Sequence, residues 1–118
     1  MTQNLSSSQA MPTDMTIEWA PFTVAEGVDE ATLYAASTAL QQEFLSQQPG
    51  FIRRELLKGT DNQWCDLVYW ESRAAADQAS QNASNSLVCY RYFTLMQGTD
   101  HTEPGAGVLH FQRVKSYE

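Results

Sequence analysis

The chain has 118 residues, enough for one domain and too few for two, and its 42% hydrophobic and 18% charged residues mark a globular protein rather than a disordered one. With 14 acidic against 7 basic residues the net charge is -7. Such a surface repels phosphate, so neither nucleic acid nor an anionic membrane is an expected partner.

Residues 1–14, MTQNLSSSQAMPTD, are polar, and they are expected to form a flexible tail ahead of a single domain over 15–118. That tail has no positive charge and no continuous apolar run, so it does not read as a secretory signal. No stretch approaches the roughly 18 apolar residues of a membrane span, and a cytoplasmic location is the default expectation. From Met15, MTIEWAPFTV alternates as a strand with Met15, Ile17 and Trp19 on one face. Pro21 removes a ladder donor there, which predicts a bulge or an edge in the later half of the strand.

Asp29 is an N-cap for a helix in which Leu33, Ala36, Leu40 and Phe44 recur at helical spacing, and Pro49-Gly50 stops it. FIRRELLKG follows as a second strand. The turn residues Gly59-Thr60-Asp61-Asn62-Gln63 join it in a hairpin to Trp64-Cys65-Asp66-Leu67-Val68-Tyr69-Trp70. That third strand is aromatic and apolar throughout, so it is expected to be central and covered on both faces. Trp64, Asp66, Val68 and Trp70 share one face, and Cys65, Leu67 and Tyr69 the other.

Ser72 caps a second helix through SRAAADQASQ. After a polar break, LVCYRYFTLMQ reads best as a helical continuation, with Val88, Tyr92 and Leu95 in one stripe and Cys89, Phe93 and Met96 in the next; the same run also suits a strand. Gly98 to Gly107 reads as a loop, and GVLHFQRVKSY as the last strand, with Val108, His110 and Gln112 opposite Leu109, Phe111 and Arg113.

The order strand, helix, strand, strand, helix, strand predicts an α+β, ferredoxin-like βαββαβ fold with the helices on one face of an antiparallel sheet. The strands are apolar on the other face too. In so short a chain the natural cover for that face is a second copy of the sheet, so a homodimer is expected.

The run FLSQQPGFIRRELLKG followed by WCDLVYWESRAAADQA resembles the dimeric α/β-barrel superfamily, above all its antibiotic biosynthesis monooxygenase-like branch. The resemblance spans residues 15 to 116. It rests on Pro49-Gly50 followed by Phe51, Arg53 and Glu55, and on Trp70-Glu71-Ser72 leading into an alanine-rich helix. It implies a dimeric α/β barrel with a pocket inside each subunit, between sheet and helices. Relatives include cofactor-free oxygenases of polycyclic aromatics and haem-degrading enzymes. The latter carry a histidine on the second helix, where this chain has none; its histidines are His101 and His110. Trp70 matches the aromatic residue that ends the third strand in such proteins.

Asp66 is the sharpest chemical candidate. Among Trp64, Val68 and Trp70 an unpaired carboxylate would have a raised pKa and could act as a general base. The commoner fate is pairing with Arg53, Arg54 or Arg113. His110 titrates near neutrality and is a second candidate acid or base, although a lone strand histidine is more often a packed one. Trp19, Trp64, Trp70, Tyr90 and Phe93, with Tyr69 and Tyr92, can line a flat apolar ligand site or simply form core and dimer interface. Cys65 and Cys89 have no zinc spacing and read as packed thiols. No phosphate loop, nucleotide fingerprint or nucleophile elbow is present. No metal or organic cofactor is therefore expected, and the first hypothesis is a cofactor-independent monooxygenase acting on an aromatic or quinone-like molecule. The alternatives are a non-catalytic dimer binding a small apolar ligand, and a barrel filled by its own tryptophans.

Overall fold

The computed structural model describes residues 15–97 and 107–118. The expected tail over 1–14, His101 and nearly all of the loop after Gly98 lie outside the described residues. The elements are strand β1 (Thr16–Thr23), helix α1 (Glu30–Glu43) with a 3-10 turn at Leu45–Gln47, strands β2 (Phe51–Lys58) and β3 (Gln63–Trp70), helices α2 (Arg73–Ala83) and α3 (Leu87–Phe93), and strand β4 (Leu109–Gln112). All strand pairs are antiparallel, in the order β2-β3-β1-β4.

Local chemistry sets each boundary. Asp29 accepts from the Thr32 N–H, Ser72 from Ala75 and Ser86 from Cys89, so each of these three α-helices starts on a side-chain cap. The hairpin turn places Asp61 and Asn62 at φ of 54° and 64°. A type I′ connection requires positive φ at both central residues, and Asp and Asn tolerate it. Gly50 has a φ of +82°, and a β-carbon there would come within 2.6 Å of Ala75 Cβ. That close approach seats α2 against the start of β2.

The side-chain alternation of β3 falls as expected. Trp64, Asp66, Val68 and Trp70 are buried beneath the helices, while Cys65, Leu67 and Tyr69 are half-buried on the other face. Cover on both faces of β3 is thus not complete within one subunit. The same outer face carries Trp19, Leu57, Leu109 and Phe111, each about half exposed.

Two expectations need correction. The run after Ala83 is a separate seven-residue helix, because Ser84-Asn85-Ser86 end one helix and cap the next. The last strand is only Leu109–Gln112, shorter than GVLHFQRVKSY, since β1 offers it four partners, Thr16 to Trp19. The edge expected at Pro21 is present: it lies just past that pairing, on the part of β1 that β4 leaves open, so its missing donor removes no β4 bond. Among the described residues no helix is long and apolar enough to cross a membrane.

Candidate active site

A cavity of about 130 Å³ lies between the inner sheet face and the helices, walled by Ala20, Val68 and Trp70 of the sheet, Leu40 of α1, Ala79 of α2 and Tyr92 and Phe93 of α3. It is close in size to the roughly 150 Å³ apolar cavity that admits benzene. The space suits an aromatic ring. Two carboxyl groups reach it, Asp66 from β3 and Glu18 from β1.

Asp66 is fully engaged. Its Oδ1 accepts from Arg54 Nε at 2.8 Å and its Oδ2 from the Tyr92 hydroxyl at 2.7 Å. Arg54 also donates to Tyr92 at 3.1 Å and to the Ser37 carbonyl and hydroxyl at 3.0 and 2.9 Å. The Arg54 and Asp66 side chains are only 6% and 8% exposed. Of the three arginines open to Asp66, Arg54 is the partner, because register alternation points Arg54 inward and Arg53 outward. Burial, and then the Asp66 charge, push the Tyr92 hydroxyl well above the ordinary phenol range. Tyr92 therefore stays a proton donor to Asp66.

Glu18 differs. One oxygen accepts from Trp70 Nε1 at 3.1 Å. Burial pushes its carboxyl from 4.5 up to about 7, against the lowering effect of that indole N–H and with a further push from Asp66. Across the strand pair, Glu18 faces His110 in register. His110 Nε2 lies 3.4 Å from Glu18 Oε1 but off the line of a hydrogen bond, and it is a buried atom with no partner. Burial, then the Arg73 charge, lower the His110 pKa against an opposing push from Asp77, which favours the neutral imidazole.

The sequence candidates divide. Trp70, Phe93 and Asp66 line the cavity and His110 stands behind Glu18. Trp19 does not line it: its register with Leu67 puts it on the outer face, 47% exposed. Tyr90 is 51% exposed on α3. Trp64 is buried but packs at the far end of the sheet, edge-on to Tyr34 at 5.9 Å and outside the cavity wall. Cys65 and Cys89 are free thiols, and burial pushes Cys89 up to about 11, which fits packing rather than reactivity. Among the described residues no three His, Cys, Asp or Glu side chains cluster as metal ligands would.

Glu18 is the site residue that sequence reasoning missed. The alternation that sets Ile17 and Trp19 on one face of β1 sets Glu18 on the other. Only the pairing of β1 with β3, Glu18 opposite Val68, reveals that this other face is the buried one.

The family model described as antibiotic biosynthesis monooxygenase matches residues 15–84, more than half of the chain. The match ends before α3 and β4, so Tyr92, Phe93 and His110 lie beyond it. Among solved structures the chain is similar to SnoaB, a cofactor-independent oxygenase from Streptomyces nogalater, with 19% identity, a TM-score of 0.68 and coverage of 87% of this chain and 96% of that one. It is also similar to protein SO0527 from Shewanella oneidensis, at 21% identity and TM-score 0.60 over 86% and 92% of the two chains. A third is PA3566 from Pseudomonas aeruginosa, at 19% and 0.58 over 90% and 99%. At these identities the likeness speaks for the fold. No curated protein matches the sequence.

Proposed function

Because the chain belongs to the antibiotic biosynthesis monooxygenase family, we propose that it is a homodimeric, cofactor-independent oxygenase that converts a small phenol to a quinone in each subunit. The observation that carries this reading is Glu18, a carboxyl with a pKa of about 7 in the wall of an apolar cavity that suits an aromatic ring. A phenol has a pKa of about 10, so a base at about 7 faces a gap of about 3 units, roughly 4 kcal/mol; an ordinary glutamate would face a gap of about 5.5 units, roughly 7.5 kcal/mol. Glu18 takes the phenolic proton, with Trp70 and Phe93 against the ring.

The phenolate then supplies the electrons for dioxygen. The ring carbon para to the hydroxyl exchanges its C–H bond for C=O. One oxygen atom stays on the ring, and the other leaves as water with the ring hydrogen and the phenolic hydrogen. Exclusion of bulk water keeps the phenolate reactive. The Arg54–Asp66–Tyr92 network holds the wall and takes no part in proton transfer. The apolar outer face of the sheet supports the homodimer.

The test is oxygen consumption with single-ring phenols unsubstituted at the para carbon, in the presence of a chelator. The expected result is uptake of one dioxygen per quinone formed, and a loss of about 100-fold or more in Glu18→Gln. Ligand binding with no oxygen uptake for any phenol would refute the oxygenase reading and leave the second one, an apolar-ligand binding protein, which the mainly apolar cavity wall favours.

A further inference from the structure

The oxygenase reading needs somewhere for the proton on Glu18 to go, and the side chains hydrogen-bonded at the cavity wall are poor takers. Asp66 has both oxygens taken, Tyr92 is a committed donor, and Trp70 only donates. Among the described residues His110 Nε2 is a buried polar atom without a hydrogen-bond partner, and it lies 3.4 Å from Glu18 Oε1. The first turn of α2, on the same face of the sheet as the cavity, carries Arg73 and Asp77, an exposed ion pair at 2.9 Å. Both act on the His110 charge.

We propose that Glu18 and His110 hold one exchangeable proton between them, and that His110 is the relay by which the cavity exchanges protons with solvent beside Asp77. This rests on the oxygenase reading for its role in turnover but not for its existence. The cross-strand register fixes the two side chains against each other. A small rotation of the imidazole aligns the 3.4 Å contact into a hydrogen bond. With Glu18 protonated and His110 neutral, the carboxyl O–H donates to Nε2. With Glu18 ionised, the ring takes the tautomer with hydrogen on Nε2 and donates to the carboxylate. Passing the proton outward requires only a transient imidazolium, which Asp77 favours and Arg73 opposes. His110 acts through Glu18 and is a positioning and relay residue.

NMR on protein labelled with 15N at histidine tests the pair without any substrate. The His110 nitrogens are expected to shift with a midpoint near 7, the Glu18 value, and this step is expected to vanish in Glu18→Gln. A His110 titration unchanged by Glu18→Gln overturns the proposal. Where a phenol is oxidised, His110→Gln, which keeps a polar group at the position, is expected to lower kcat about 10-fold or more with little change in KM. Imidazole in the buffer is expected to restore much of that loss. Full kcat in His110→Gln overturns the relay. With no phenol turned over but the NMR coupling present, the oxygenase reading fails and the shared proton stands.

Discussion

The indole N–H of Trp70 donates to Glu18 Oε1 at 3.1 Å, linking the last residue of β3 to the middle of β1 across the floor of the cavity. The bond favours the ionised carboxyl, and without it burial would carry Glu18 higher than about 7. Trp70→Phe is therefore expected to move the rising limb of kcat/KM against pH to more alkaline values. The rate at pH 7 falls several-fold and recovers near pH 9. A midpoint that stays put would remove Glu18 from the role of base.

The same carboxyl predicts how stability varies with pH. Its folded-state pKa of about 7 lies above the unfolded value of 4.5, so the folded chain holds this proton more tightly. The contribution is fully present below about pH 4.5 and is lost as pH rises through about 7, a total of about 3 kcal/mol. Glu18→Gln has no charge to bury and can still accept from Trp70. It is expected to match the wild type near pH 4.5 and to exceed it by up to about 3 kcal/mol above pH 8, a gap of roughly 10 °C in Tm. Thermal melts of the two proteins across that range measure it.

The Arg54–Asp66–Tyr92 network predicts strong non-additivity. Asp66→Leu leaves the Arg54 guanidinium buried without its counter-charge, at a cost of about 3–5 kcal/mol. Adding Arg54→Met and Tyr92→Phe removes the stranded donors, and the triple variant is expected to be more stable than Asp66→Leu alone. Urea unfolding of the single and triple variants decides it. Independent, additive losses would mean that the three side chains do not act as a unit.

The fold was legible in the sequence because its signals are local. Asp29 and Ser72 cap helices, Pro49-Gly50 stops one, and the alternation of Trp64 through Trp70 sorts β3 into two faces. The family resemblance rested on Pro49-Gly50 with the strand after it and on Trp70-Glu71-Ser72, local runs of the same kind. The site was less legible because it depends on register between strands distant in sequence. Asp66 drew attention as a carboxylate among tryptophans, yet its partners come from 12 and 26 residues away. Glu18 looked like an ordinary polar residue of an alternating strand until β3 was placed beside it. Trp19 and Trp64 belong to the same aromatic population as Trp70, and composition cannot say which of them faces the cavity.

Gly50 predicts a backbone effect. Gly50→Ala places a side chain at a φ of +82°, a conformation that costs an L-residue about 1 kcal/mol, and drives its Cβ to 2.6 Å from Ala75 Cβ. The clash falls between β2 and α2, where the Glu71 N–H also donates to the Gly50 carbonyl at 2.8 Å. The combined cost is expected to be about 2–4 kcal/mol by chemical denaturation. Gly27 has a similar φ of +89° and nothing within 4 Å, so Gly27→Ala should cost only the backbone part. Equal losses at both positions would show that the Ala75 contact relaxes freely.

The outer face of the sheet tests the proposed dimer. Trp19 and Leu109 are register partners on β1 and β4, and Phe111 pairs with Ile17 two residues along, so three large half-exposed side chains stand together away from the helices. A patch of this kind on a lone small subunit invites self-association, and in an antiparallel sheet it costs nothing to the inner core if one member changes. Phe111→Arg sets a charge at the centre of the patch, which a second sheet could cover only by leaving it unpaired, at about 3 kcal/mol or roughly 100-fold in the dimer dissociation constant. Light scattering at micromolar concentration is expected to find a dimer for the wild type and a folded monomer for Phe111→Arg, with an unchanged far-ultraviolet spectrum. A wild-type monomer would show that the exposed aromatics are not an interface, and a dimeric Phe111→Arg would place the contact elsewhere on the subunit.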